Sequence, residues 1–262
     1  MNIIPLSFII SSLAGLSTLV GFIFVFFNIK DSSKFIAKCL IFSSSVMFTI
    51  SLFDLIPSSY AYLIKIYNNI LALLIGLIYV LFGAIMTYSI NKFIKEDNNL
   101  YKIGITSMIA IIIHNIPEGI ITFMATTNNT KIGIVLAITI ALHNIPEGIA
   151  ISIPIYYSTG NKKMALLYTF ISALSEPIGA LIAFLFIDRI NNNYFFSIML
   201  LITAGIMIYL SIFELFKEGI KSLCIKDTLL FIFLGLIVIL ISILLWYNIF
   251  YNRRRIWRKG KD

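Results

Sequence analysis

The chain has 262 residues, 60% of them hydrophobic and only 12% charged, with a mean hydropathy of +0.98, more apolar matter than a soluble domain of this length can bury. Its net charge of +8 lies in short loops and at the C-terminus, which leaves no basic soluble domain to bind nucleic acid. A G-x-x-x-x-G-K-[ST] loop is missing, so this chain does not hydrolyse ATP, and Cys39 and Cys224 have no spacing for a disulfide framework or a thiolate metal site.

A helix needs about 20 apolar residues to cross the hydrocarbon of a bilayer. The sequence predicts eight such helices, over residues 4–29, 36–57, 68–90, 102–125, 132–156, 164–187, 194–216 and 228–250, together forming one transmembrane domain over 1–262. Period-2 alternation is absent, which favours an all-α polytopic membrane protein over a barrel. The first span lacks the basic leader and short apolar core of a cleaved signal and is read as a retained helix. Loops after spans 1, 3, 5 and 7 carry eleven lysines, from Lys30 to Lys226, against Lys65, Lys131 and Arg189 in the opposite loops. Positive residues gather on the cytoplasmic side, so both termini are expected outside an inner (plasma) membrane, although the tail Arg253, Arg254, Arg255, Arg258, Lys259 and Lys261 argues the other way.

Two repeats run through these spans. Ser44–Leu55, SSVMFTISLFDL, returns as Ala204–Leu215, AGIMIYLSIFEL, and Ile75–Leu81 returns as Leu234–Leu240, so spans 2 and 3 are echoed in spans 7 and 8. A shift of five helices reverses direction through the membrane, which is the inverted-repeat arrangement of secondary transporters. Span 1 does not align with span 6 by eye. Between the triplets, spans 4 and 5 carry the same hexapeptide, His114-Asn115-Ile116-Pro117-Glu118-Gly119 and His143-Asn144-Ile145-Pro146-Glu147-Gly148. The architecture therefore reads as 3+2+3, with the hexapeptides about a dozen residues into their spans, roughly 17 Å deep at 1.5 Å per residue.

His and Glu four apart lie on one face of a helix, one turn above the other. Two antiparallel copies offer two imidazole nitrogens and two carboxylates, a set suited to Zn²⁺ and also to Fe²⁺, Mn²⁺ or Cd²⁺. Asn115 and Asn144 add amide oxygens one position round. Pro117 and Pro146 withdraw a hydrogen bond from the carbonyls of Ile113 and Leu142 and are expected to break the helices beside the ligands. Span 6 adds Ser175-Glu176-Pro177, and spans 2 and 7 add Asp54 and Glu214; Asp54, Glu214 and Ser175 are candidates for the ion's path. Five acids inside apolar spans, at about 2.5 to 3.5 kcal/mol each, amount to a penalty on the order of 10 kcal/mol unless they are paired or wetted. No Lys or Arg lies mid-span to pair them, so a cation brought from outside is the natural partner.

At these residues the chain resembles the ZIP family of zinc and iron transporters, in particular its bacterial uptake members. The resemblance is carried by both HNIPEG motifs, by the continuation GIAISIPIYYSTG over Gly148–Gly160, by SEPIGA over Ser175–Ala180, and by spans 2 and 7. It implies eight helices with termini outside, alternating access of elevator type, and a midplane site for two metal ions as transported substrate, Zn²⁺ or Fe²⁺, with no catalytic cofactor. Carried onto this chain, one ion would meet His114, Glu118, His143 and Glu147, and the other Asn115, Glu118, Asn144, Glu147 and Glu176. Three departures stand out: residues 91–101 hold no His, Asn144 stands where some relatives have Asp, and Asp54 is shorter than the expected Glu.

Rival readings are weaker. An isolated intramembrane His is often only an interhelical hydrogen-bond partner, but duplication with acids at helical spacing argues against that. A zinc protease would show His-Glu-x-x-His and a di-iron oxidase Glu-x-x-His, and neither is present. A cation channel lined by the same residues, and a homodimer, stay open on sequence alone.

Overall fold

The computed structural model describes residues 3–27, 31–186 and 193–259, with the side chains of 193 and 245–259 excepted. Lys30, Arg189, Lys261 and the side chains of the basic tail lie outside the described residues. Among the described residues, eight helices are long and apolar enough to span a membrane: α1 Ile3–Phe26, α2 Ser32–Leu63, α3 Asn69–Phe93, α4 Asn99–Asn128, α5 Thr130–Thr159, α6 Lys162–Leu185, α7 Tyr194–Gly219 and α8 Ile225–Leu244. No strand occurs among the described residues. The chain is an all-α, multi-pass membrane protein, as its hydropathy predicts.

Local chemistry sets the ends. Asn68, Asn98, Asn129 and Asn161 each accept a backbone N–H of the following helix, which satisfies donors that a first turn leaves orphaned. Only Asn129 separates α4 from α5, so the two hexapeptide helices are forced to lie side by side and antiparallel. Gly160 ends α5 at φ +67°, a left-handed turn that glycine adopts without strain.

The helices pack as two groups. In one, α4 and α5 pair with each other, α1 packs on both, and α6 packs on α4; in the other, α2 lies against α8 and α3 against α7. α2 and α7 join the groups through a core that includes Met47, Ile50, Ile111, Ile151, Met207 and Leu210. The apolar stretch of α5 is 67% buried, whereas those of α3 and α8 are only 17% and 22% buried, which puts α3 and α8 at the lipid-facing periphery.

The prolines correct an expectation. Both α4 and α5 run without interruption through Pro117 and Pro146. Each proline withdraws a single hydrogen bond, and the turns on either side continue the helix past it. The interruptions lie in the flanking helices instead, at Ser17 in α1 and at Leu174 in α6. Pro177 occupies the first turn after the second of these, where its absent N–H has no partner to lose. Matching widened, π-type turns occur at Ser51–Leu55 in α2 and Leu210–Phe216 in α7, the segments that echo each other in sequence.

Candidate metal site

The two hexapeptides meet at the centre of the first group. His114, Asn115, Asn144, Glu147 and Glu176 are fully buried, and His143 and Glu118 are 2% and 4% exposed. Each histidine binds the glutamate of the other helix: His114 Nε2 donates to Glu147 Oε1 at 2.9 Å, and His143 Nε2 to Glu118 Oε1 at 3.3 Å. Spacing alone put His114 with Glu118 and His143 with Glu147 on one face; the antiparallel packing crosses these partners over.

These bonds assign the tautomers. A carboxylate only accepts, so each imidazole carries its proton on Nε2 and keeps a lone pair on Nδ1. Nδ1 of both histidines, Oε2 of Glu118 and Oε2 of Glu147 have no hydrogen-bond partner. A purely structural pair of histidines accounts for the interhelical bonds, but it leaves these four ligand atoms orphaned in the low-dielectric interior, where an unsatisfied polar group costs about 1 to 3 kcal/mol. In this arrangement no three His, Cys, Asp or Glu side chains close around a common point among the described residues, so the pairs stand apart and an ion that takes all four ligands must draw them together.

Glu176, from the first turn after the interruption of α6, accepts from the amide of Asn144, which also donates to the Ala14 carbonyl of α1 at 3.0 Å. Its Oε2, the Asn144 carbonyl oxygen and both amide atoms of Asn115 are likewise unpartnered. The other candidates divide. Asp54 lies in the widened turn of α2, accepts from Ser58 at 3.1 Å and is close enough to interact electrostatically with His143 and Glu118. Glu214, at the matching turn of α7, hydrogen-bonds Tyr209 and Asn91 and lies near Lys102 and Lys217, away from the hexapeptides. Ser175 turns inward to the Ser172 carbonyl at 2.5 Å and closes the interruption of α6. Cys39 and Cys224 are both free.

Sequence reasoning overlooked Thr18, buried in α1 with an unpartnered hydroxyl, as well as Ser107, Thr122 and Thr139 along the inner faces of α4 and α5. A signal for Thr18 existed in the short match of Leu16-Ser17-x-x-x-Gly21 to Leu174-Ser175-x-x-x-Gly179.

Comparison with known proteins adds an independent line. The sequence model of the family described as ZIP Zinc transporter matches residues 95–243, which include both hexapeptides and Glu176. The zinc transporter ZupT of Clostridium perfringens is 33% identical over 94% of this chain and 98% of its own length. ZupT of Nitratidesulfovibrio vulgaris is 34% identical over 92% and 97%, and that of Lysinibacillus sphaericus 38% over 80% and 86%.

Proposed function

The chain belongs to the ZIP family of zinc transporters, and from that premise we propose that it is a secondary transporter taking up divalent transition metals, zinc first, with iron, manganese and cadmium as further substrates, through a two-ion site at the membrane midplane. One observation carries the reading: two antiparallel helices bring four unpartnered His and Glu ligand atoms into a fully buried, lysine- and arginine-free interior. Membership in a transporter family sets the intramembrane enzyme aside. Zinc suits the mixed nitrogen and oxygen set of His114, Glu118, His143 and Glu147; the oxygen-only set of Asn115, Asn144, Glu118, Glu147 and Glu176 forms the second position.

Packing supports an inverted 3+2+3 repeat acting as one transport domain over 1–262. Exchanging α2 with α7 and α3 with α8 converts the α2–α8 contact into the α7–α3 contact, and both are present. Alternating access in this reading is a sliding of the group α1, α4, α5 and α6, which holds the proposed ligands, against the group α2, α3, α7 and α8, of which α3 and α8 face lipid. In this reading the protein lies in the plasma membrane with both termini outside.

Uptake into proteoliposomes, measured for Zn²⁺, Fe²⁺, Mn²⁺ and Cd²⁺ with and without a proton gradient, tests the proposal. It predicts saturable Zn²⁺ flux at low turnover. Unsaturating flux would indicate a channel, and absence of flux for every ion would reject transport.

A further inference from the structure

Three correspondences relate α1 to α6 across the hexapeptide pair. Leu16-Ser17-Thr18-Leu19-Val20-Gly21 aligns with Leu174-Ser175-Glu176-Pro177-Ile178-Gly179. Both helices are interrupted there, and both interruptions are closed by the same bond, Ser17 Oγ to the Ala14 carbonyl and Ser175 Oγ to the Ser172 carbonyl, each at 2.5 Å. Their backbones also dock alike: a side chain at Gly148 of α5 would strike the Thr18 carbonyl and one at Gly119 of α4 the Glu176 carbonyl, while Gly21 and Gly179 face the carbonyls of Ile145 and Ile116. A single exchange of α1 with α6 and α4 with α5 maps each contact onto another.

That exchange pairs Glu176 with Thr18 and Asn144 with Asn115. Glu176 reaches from a backbone seated on α4 to Asn144 of α5. By the same exchange Thr18, whose backbone is seated on α5, corresponds to a side chain turned toward Asn115 of α4. Its hydroxyl is free for this role. Ser7, Ser51, Ser59, Thr87, Thr126 and Thr169 all spend theirs on the carbonyl four residues back, whereas Thr18 Oγ1 is fully buried without a partner.

Each residue of the oxygen cluster keeps one unpartnered oxygen: Thr18 Oγ1, Asn115 Oδ1, Asn144 Oδ1, Glu118 Oε2, Glu147 Oε2 and Glu176 Oε2. We infer that Thr18 supplies a hydroxyl ligand opposite Glu176 and completes a six-oxygen shell for the second divalent cation. The inference rests on the transport-site reading above. Six oxygens suit the octahedral ions Mn²⁺ and Fe²⁺ better than tetrahedral Zn²⁺, so the neutral hydroxyl selects through coordination number while the carboxylates supply the charge.

Titration of Mn²⁺ and Zn²⁺ into the purified protein, with bound metal counted per chain, tests it. Thr18→Val keeps shape and removes the oxygen; the second Mn²⁺ should bind at least about tenfold more weakly with the first Zn²⁺ unaltered, since loss of even an outer-shell partner costs that much. Thr18→Ser, which retains the hydroxyl, should restore the second Mn²⁺. If Thr18→Val fails to insert, Thr18→Asp decides, because a carboxylate there should tighten the second Mn²⁺ about tenfold. Second-ion binding unchanged in Thr18→Val or in Thr18→Asp, beside a first Zn²⁺ that depends on His114 and His143, overturns the inference alone. A first Zn²⁺ indifferent to His114→Ala and His143→Ala overturns the transport-site reading and the inference with it.

Discussion

His114 and His143 each give Nε2–H to a carboxylate and leave Nδ1 unpartnered, so that in the proposed site the order would be carboxylate–histidine–metal, which fixes ring orientation and strengthens the donor nitrogen. An imidazolium has no lone pair, so metal affinity should fall as the medium is acidified. Binding isotherms between pH 7.5 and about pH 5.5 check this; a flat affinity would show that neither ring is a ligand. Glu176 touches Asn144 and neither histidine in the hydrogen-bond pattern. Glu176→Gln should therefore retain zinc uptake, lose one of two bound ions, and shift preference away from Fe²⁺ relative to Zn²⁺. Two ions still bound, or equal and complete loss of both transports, would place Glu176 in the main site. The candidate residues were legible in sequence because His and Glu four apart is a local pattern. Their crossed pairing was not, because it depends on how α4 and α5 pack, which no spacing within one helix records.

At the scale of elements, hydropathy located every helix, since a span in lipid must satisfy its own backbone and reads as one apolar run. The interruptions were not legible. Pro117 and Pro146 suggested breaks that α4 and α5 do not show, while the interruption of α1 at Ser17 contains no proline at all. The kinship of α1 and α6 was hidden because Thr18 replaces an acid and Leu19 a proline, leaving Leu, Ser and Gly to carry the match. Close helix contact gives the element-scale prediction. A methyl at Gly119 would overlap the Glu176 carbonyl, whereas at Gly76 its nearest neighbour is Leu201 at 3.8 Å, an ordinary contact. Gly119→Ala should destabilise the α4–α6 junction by about 1 to 3 kcal/mol and lower the melting temperature in detergent, while Gly76→Ala should leave it unchanged or slightly raised. Equal melting temperatures for the two variants would contradict this packing.

For the whole molecule, the division into the hexapeptide-bearing group α1, α4, α5 and α6 and the group α2, α3, α7 and α8 makes relative motion the step that the proposed transport requires. One polar bond ties the groups where α4 begins and α7 ends: Asn99 donates to Glu218 Oε2 at 2.6 Å, and Lys221 donates to the same oxygen at 2.6 Å. In a Cys224→Ser background, Asn99→Cys with Glu218→Cys joined by a short cleavable bifunctional reagent should stop uptake, and cleavage should restore it. Undiminished uptake by the cross-linked protein would mean that these two ends do not separate during transport.

Zinc uptake into proteoliposomes by Glu118→Ala and Glu147→Ala, compared with wild type at matched reconstitution, bears most directly on the central claim. Each carboxylate pairs with a histidine through one oxygen and keeps the other unpartnered for an ion. Both variants should insert with unaltered helix content and take up no zinc, because each removes a carboxylate that the proposed site shares between both ion positions. Full uptake by either one at normal expression would contradict a transport site built on the paired hexapeptides.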